Sequence, residues 1–150
     1  MMDLQDLYQE LILDHNKRPR NRRKLEQADG QCDGYNPLCG DRVTVFVKVN
    51  GDVVEDVSFE GSGCAISTAS ASLMTECIKG MSVSEAKAMF ERFHEMVTGE
   101  SGAASQGGSL GKLEVFSGVS RYPARVKCAT LVWHTLRGAL ADDANPVTTE

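Results

Sequence analysis

Hydrophobic positions recur along the chain with two different periods. Leu4, Leu7, Tyr8, Leu11 and Ile12 keep the i, i+3, i+4, i+7, i+8 spacing of an amphipathic helix. Asp3 stands where a cap is expected, and Pro19 stops the helix. His15 lies near its C-terminal end, where a protonated imidazole would suit the helix dipole. Past residue 42 the period becomes two. Val43, Val45, Val47 and Val49 share one face, Asn50-Gly51 supplies a hairpin turn, and residues 53–60 alternate on the return. This predicts a central hairpin over about residues 42–60. Residues 28–35, with Gly30 and Gly34, read as a loop with room for a short edge strand.

After the hairpin, Gly61-Ser62-Gly63 lets the chain turn sharply. Ile66, Ala69, Leu73, Cys77 and Ile78 then mark one face of a helix that ends at Gly80. Ser82 and Glu85 have capping-box spacing ahead of Ala86, Met89, Phe90, Phe93, Met96 and Val97 at helical period. His94 has no ligand-spaced partner and reads as surface. Residues 99–111 form a Gly/Ser-rich loop, and residues 113–118 a short ordered segment. Pro123 opens a last helix whose apolar arc is Ala129, Val132, Trp133, Leu136 and Leu140, and residues 141–150 read as a polar, frayed tail. No repeat or domain boundary interrupts residues 1–150. The expected class is α+β, a small antiparallel β-sheet packed against several α-helices.

A chain of 150 residues with 41% hydrophobic and 25% charged residues can bury a core without staples. The net charge of −5 argues against a general nucleic-acid binder. No apolar run approaches the roughly 20 residues of a membrane span, and no signal-peptide pattern opens the chain. A cytoplasmic protein without membrane partners is expected. Lys17, Arg18, Arg20, Arg22, Arg23 and Lys24 form a basic cluster, either a solvated face or a docking patch for an acidic surface.

Five cysteines at irregular spacings suit metal binding, nucleophilic chemistry or core packing better than disulfides in a reducing compartment. Cys39 and Asp41 flank Gly40, so a turn there aims a thiolate and a carboxylate at one spot. Cys64 stands at a helix start, where the dipole favours thiolate. Cys128 falls in the opening turns of the last helix. Three thiols and a carboxylate make a tetrahedral set that zinc accepts. The hairpin carries Cys39, Asp41 and Cys64 to one end of the sheet. Cys32 reads as non-ligating and Cys77 as a core thiol. Three unrelated buried thiols, or a purely structural zinc, are the blander readings. Against the second, the chain has no paired CxxC knuckles. The H-x-E and P-C-x-x-C pair of a zinc deaminase and the H-E-x-x-H of a zinc protease are both absent.

In this order, NPLCGD, GSGCAIS and ARVKCATL resemble the three ligand segments of the IscU/NifU-N/SufU superfamily of iron–sulfur cluster assembly proteins. The opening LYQELILDHNKRPRN is similar to the first helix of that group, and the likeness runs from about Leu7 to Leu140. IscU-type scaffolds carry a histidine directly before the third cysteine, where this chain has Lys127. The stretch GKLEVFSGVSRYPAR resembles the insertion that marks SufU, and no counterpart of the C-terminal domains of full-length NifU is present in the sequence. A SufU-type member is expected.

The resemblance implies the IscU-like (SufE-NifU) fold and a zinc ion on Cys39, Asp41, Cys64 and Cys128. It also implies sulfur accepted from a SufS-type, PLP-dependent cysteine desulfurase and passed to a downstream scaffold such as SufBCD. In that picture a desulfurase histidine displaces Cys39 from zinc, and the freed thiolate attacks the persulfide while Asp41 anchors the metal. Arg125 and Lys127, which flank Cys128, could stabilise anionic sulfur, contact the partner, or serve as plain surface charges. Two functions of different class follow. One is a zinc-dependent sulfurtransferase that stimulates the desulfurase; the other is a scaffold for a transient [2Fe–2S] cluster on the same ligands. Lys127 weighs against the second, because an ammonium offers no lone pair to iron.

Overall fold

The computed structural model describes residues 4–99, 110–141 and 147–148. The expected cap at Asp3 and nearly all of the Gly/Ser-rich loop lie outside them. The elements are α1 (Leu4–Lys17), β1 (Gly30–Asn36), β2 (Asp41–Asn50), β3 (Val53–Ser62), α2 (Ala65–Ile78), α3 (Val83–Thr98), a 3-10 helix (Gly111–Arg121), α4 (Pro123–Leu140) and β4 (Val147–Thr148). The sheet order is β3-β2-β1-β4, with β2 antiparallel to both β1 and β3 and β4 parallel to β1. The class is α+β, as expected. No helix among the described residues is long and apolar enough to cross a membrane.

The β2–β3 hairpin forms where the alternation places it. Asn50 pairs with Val53 around Gly51-Asp52, and Gly51 takes the positive φ of 64° that such a turn requires. Its inward residues Val43, Val45, Val47, Val57 and Phe59 are buried. At the far end, Gly61 has a φ of 141° and lies so close to the Arg42 carbonyl that a Cβ would collide with it.

The segment before the hairpin departs from expectation. Residues 30–36 are a full strand lying between β2 and β4, not a loop. Its inward residues are Gly30, Cys32, Gly34 and Asn36, and it alternates perfectly between buried and exposed. The alternation is of size and polarity, without the apolar signal that marks a strand in sequence. The face is small because α4 crosses it closely. A Cβ on Gly34 would run into the Thr135 side chain, and one on Gly30 into the Ala139 carbonyl. Gly138 in turn leaves room for Cys32. Within the tail expected to fray, Val147–Thr148 pairs with Gly34 and Tyr35.

Helix α2 is the central helix. It packs against α1, α4 and β3, and Ser67, Ala69, Ser70, Ala71, Ser72, Leu73, Met74 and Thr75 are all buried. Small residues on so many sides allow close approach, and their hydroxyls are used: Ser70 Oγ donates to the Ala129 carbonyl at 2.6 Å. Ser82 caps α3 as the spacing predicts, with the Glu85 amide donating to Ser82 Oγ and that hydroxyl donating to the Glu85 carboxylate. Phe93 stacks on Trp133 at 4.7 Å and meets Phe116 edge-on, joining α3, α4 and the 3-10 helix. Pro123 occupies the first turn of α4.

Two histidines and the basic cluster are more engaged than their sequence readings convey. His15 stands in the last turn of α1, as expected, and is buried there. Its Nδ1 lies 2.7 Å from Ser72 Oγ, which also accepts from the Arg20 amide, so α1 is tied to α2. His94 is half-buried, stacked on Phe90 and edge-on to His134. Three of the clustered arginines are engaged within the fold. Arg20 pairs with Asp14 at 2.7 Å, Arg23 grips both oxygens of Asp56 at 2.9 Å, and Arg22 donates to the Gly61 carbonyl. Lys17, Arg18 and Lys24 remain exposed.

Burial lowers the pKa of His15, helped by Arg20. Burial also lowers that of His134 to about 4, with Arg137 and His94 acting in the same direction. Both imidazoles therefore take up protons more readily in the unfolded chain. Their neutral packing is fully present above pH 6.5 and is lost as pH falls toward about 4. The melting temperature should drop across that window, and His134→Gln should flatten the decline by about 2 kcal/mol, allowing for the partial exposure of the ring. Thermal melts of both proteins from pH 7.5 to 4 measure it.

Candidate metal centre

The β1–β2 turn builds the centre of the site. Asn36 pairs with Asp41, leaving Pro37, Leu38, Cys39 and Gly40 as a four-residue hairpin loop in which Gly40 adopts a φ of 71°. Cys39 is exposed at the end of this loop. Asp41, the first residue of β2, is completely buried. Its Oδ1 accepts the Cys64 amide at 2.9 Å and its Oδ2 accepts the Asn36 side-chain amide at 3.2 Å. Gly63 makes this packing possible, since a Cβ there would sit 2.7 Å from Asp41 Oδ1.

Cys64 is the N-cap of α2, and its sulfur accepts the Ser67 amide at 3.4 Å, in the manner of a capping oxygen. Cys128 lies in the second turn of α4, 2% exposed, with its sulfur 3.4 Å from that of Cys39 and 3.6 Å from the Asn36 amide nitrogen. The Ser70 bond to Ala129 anchors α4 to α2 one residue beyond Cys128. Burial pushes the Cys128 thiol far above its usual range, and its neighbours Cys39, Asp41 and Cys64 push the same way.

One donor atom each from Cys39, Asp41 and Cys128 lie within 4.8 Å of one another. Cys64 stands beside this cluster: its amide holds Asp41, and its thiol caps α2 and neighbours Cys128. Among the described residues no cation pairs with Asp41. A carboxylate removed from water needs compensation, and two N–H donors supply only part of what a counter-charge would. A divalent ion fits that deficit. Two sulfurs and an oxygen, with a third sulfur adjacent, match the donor preferences of zinc.

The other cysteines lie apart from the cluster. Cys32 is buried against Gly138, and Cys77 is half-buried, its thiol pKa raised by burial. Arg125 is exposed, 5.9 Å from the Tyr122 ring, and Lys127 is half-buried; neither is bonded to a thiol among the described residues. Arg121, Tyr122 and Arg125 border a cleft of about 620 Å³ floored by Tyr8, Ile12 and Ile66, beside the start of α2. Asn36 is the residue that sequence reasoning missed. It begins the NPLCGD stretch, but an asparagine before a proline reads as a turn former. Its place opposite Asp41 became visible only once residues 30–36 were a strand.

Residues 7–129 match the family of NifU-like N-terminal domains. The chain is 45% identical over 141 residues to the zinc-dependent sulfurtransferase SufU of Bacillus subtilis (strain 168), covering 94% of each chain. It is 41% identical over 142 residues to the iron–sulfur cluster assembly scaffold protein IscU of Streptococcus pyogenes serotype M1, covering 95% of this chain and 87% of the relative. A crystal structure from Fervidobacterium islandicum AW-1, described as a candidate iron–sulfur cluster assembly scaffold protein for the SUF system, superposes with a TM-score of 0.81. It is 39% identical, with 92% of this chain and 99% of that one covered. The chain therefore belongs to the family of NifU-like N-terminal domains, within the superfamily of IscU and SufU proteins.

Proposed function

We propose that this protein works in iron–sulfur cluster assembly as a zinc-dependent sulfurtransferase, accepting persulfide sulfur from a SufS-type cysteine desulfurase and stimulating its turnover. The observation that carries this reading is the inequality of the three thiols. Cys128 is buried and Cys64, though exposed, is held at a helix cap by the Ser67 amide, whereas Cys39 is exposed on a hairpin loop with no such tie among the described residues. A sulfur acceptor needs one thiol that can reach a partner and others that stay in place.

Cys39, Asp41, Cys64 and Cys128 would hold the ion, and zinc, when bound, supplies the positive charge that keeps these thiols deprotonated near neutral pH. The Cys39 thiolate attacks the terminal sulfur of the desulfurase persulfide. The S–S bond of that persulfide breaks, the desulfurase cysteine leaves as a thiolate, and the persulfide now stands on Cys39. Exposure of the loop lets that sulfur travel to a downstream acceptor such as a SufBCD-type scaffold. The relatives named IscU favour a second reading, a scaffold for a [2Fe–2S] cluster on the same residues. Lys127, which cannot ligate iron as an ammonium, counts against it.

Elemental analysis should find about one zinc per chain, the complement of a single tetrahedral site. Mass spectrometry after incubation with desulfurase, PLP and cysteine should place a persulfide on Cys39. Iron with acid-labile sulfide and no mobile persulfide would turn the assignment to the scaffold. Cys39→Ser should abolish both the persulfide and the stimulation of the desulfurase. Cys77→Ser should leave both intact and lower stability by at most about 1 kcal/mol; loss of transfer in a folded Cys77→Ser protein would contradict the assignment.

Zinc occupancy tests Asp41 from two sides. Asp41→Ala removes a donor, and Gly63→Ala puts a methyl 2.7 Å from Asp41 Oδ1 while keeping every donor residue in the sequence. Each should weaken zinc binding by about 10-fold or more in a chelator competition. Unchanged zinc content in Asp41→Ala would remove that carboxylate from the ligand set.

A further inference from the structure

Asn36 is fully buried, and its side chain is spent on the site alone. Its Nδ2 donates one bond to Asp41 Oδ2 at 3.2 Å and one to Cys128 Sγ at 3.6 Å, while its Oδ1, also buried, has no hydrogen-bond partner. The orientation is dictated by chemistry, because the reverse would set the amide oxygen against a carboxylate oxygen, two acceptors facing each other. An apolar residue of similar size would avoid the idle carbonyl. What the amide contributes is therefore its pair of donors.

Those donors distinguish the three thiols. Cys128 receives an N–H from Asn36 and Cys64 receives one from Ser67. Cys39 receives no N–H bond among the described residues; its contact is the Cys128 sulfur. An N–H bond draws charge from a thiolate, which makes it a poorer nucleophile and keeps it oriented toward a metal. We propose that Asn36 is a positioning residue that sorts the ligands: it fixes Asp41 and Cys128 as permanent donors and leaves Cys39 as the thiol able to detach. This rests on the zinc reading above and assigns a role to a residue that binds no metal itself.

The test uses zinc-loaded full-length protein and the variant Asn36→Leu, which removes both donors and the idle carbonyl while preserving bulk. Limited alkylation with iodoacetamide, followed by peptide mass spectrometry, reads the order in which the cysteines react. Wild type should label Cys39 far ahead of Cys128. In Asn36→Leu the Cys128 rate should rise about 10-fold relative to Cys39, and zinc should pass to a chelator about 10- to 100-fold faster. A folded Asn36→Leu protein with the wild-type order and rate overturns the proposal. A measurement on wild type alone guards against a variant that fails to fold. With zinc bound, the Asn36 side-chain NH2 signals should resist exchange with water and shift on chelation. Exchange as fast as that of exposed Asn50 overturns the proposal as well. Wild type without zinc overturns the zinc reading and this inference with it; zinc-loaded wild type beside an indifferent Asn36→Leu overturns this inference alone.

Discussion

A carboxylate taken wholly out of water at the first residue of β2 is the constraint on which the rest of the site depends. Asp41 holds three segments at once: the end of β1 through Asn36, the start of α2 through the Cys64 amide, and the thiol cluster through its neighbours Cys39 and Cys128. Desolvating that charge is tolerable only where donors converge on it. The fold makes them converge by starting β2 opposite the end of β1 and by placing a glycine, Gly63, where any side chain would displace an oxygen. The site is thus a solution to a burial problem before it is a reactive centre.

Close backbone approach recurs as the means of assembly. Helix α4 meets β1 through Gly30, Gly34 and Gly138, β3 meets β2 at Gly61, and the hydroxyls and alanines of α2 admit neighbours around most of its circumference. Stacked and edge-on aromatic rings join α3, α4 and the 3-10 helix, where Phe93, Trp133 and Phe116 meet. The protein therefore has two packing regimes: a bulky apolar core among α3, α4 and the 3-10 helix, and a small-residue region that brings the ligand-bearing segments within reach of one another.

What could be read from the sequence follows from this division. The Val43–Val49 alternation, the capping-box spacing of Ser82 and Glu85, and Pro123 at a helix start are local signals, and each led to the right element. The strand β1 was hidden because its inward positions are glycine, cysteine and asparagine, so the usual apolar mark of a buried face is absent. The burial of His15 and the bonds of the arginines at 20, 22 and 23 went unread for a different reason. Their partners Ser72, Asp14, Gly61 and Asp56 depend on tertiary packing or lie far along the chain, and no periodicity encodes such pairs. The three cysteine segments were legible because turn residues and a helix start surround them. Asn36 was not, since its meaning comes from strand pairing.

The glycine contacts between α4 and β1 also set how much each part of the site can yield. Such close approach leaves little compliance, so Cys128 is mounted on a tightly packed helix, braced again by the Ser70 bond to Ala129. Cys39 rides on a four-residue loop anchored at either end by the buried Asn36 and Asp41. One jaw of the site is rigid and the other is hinged. Of the two, the four-residue loop that carries Cys39 is the part with room to yield.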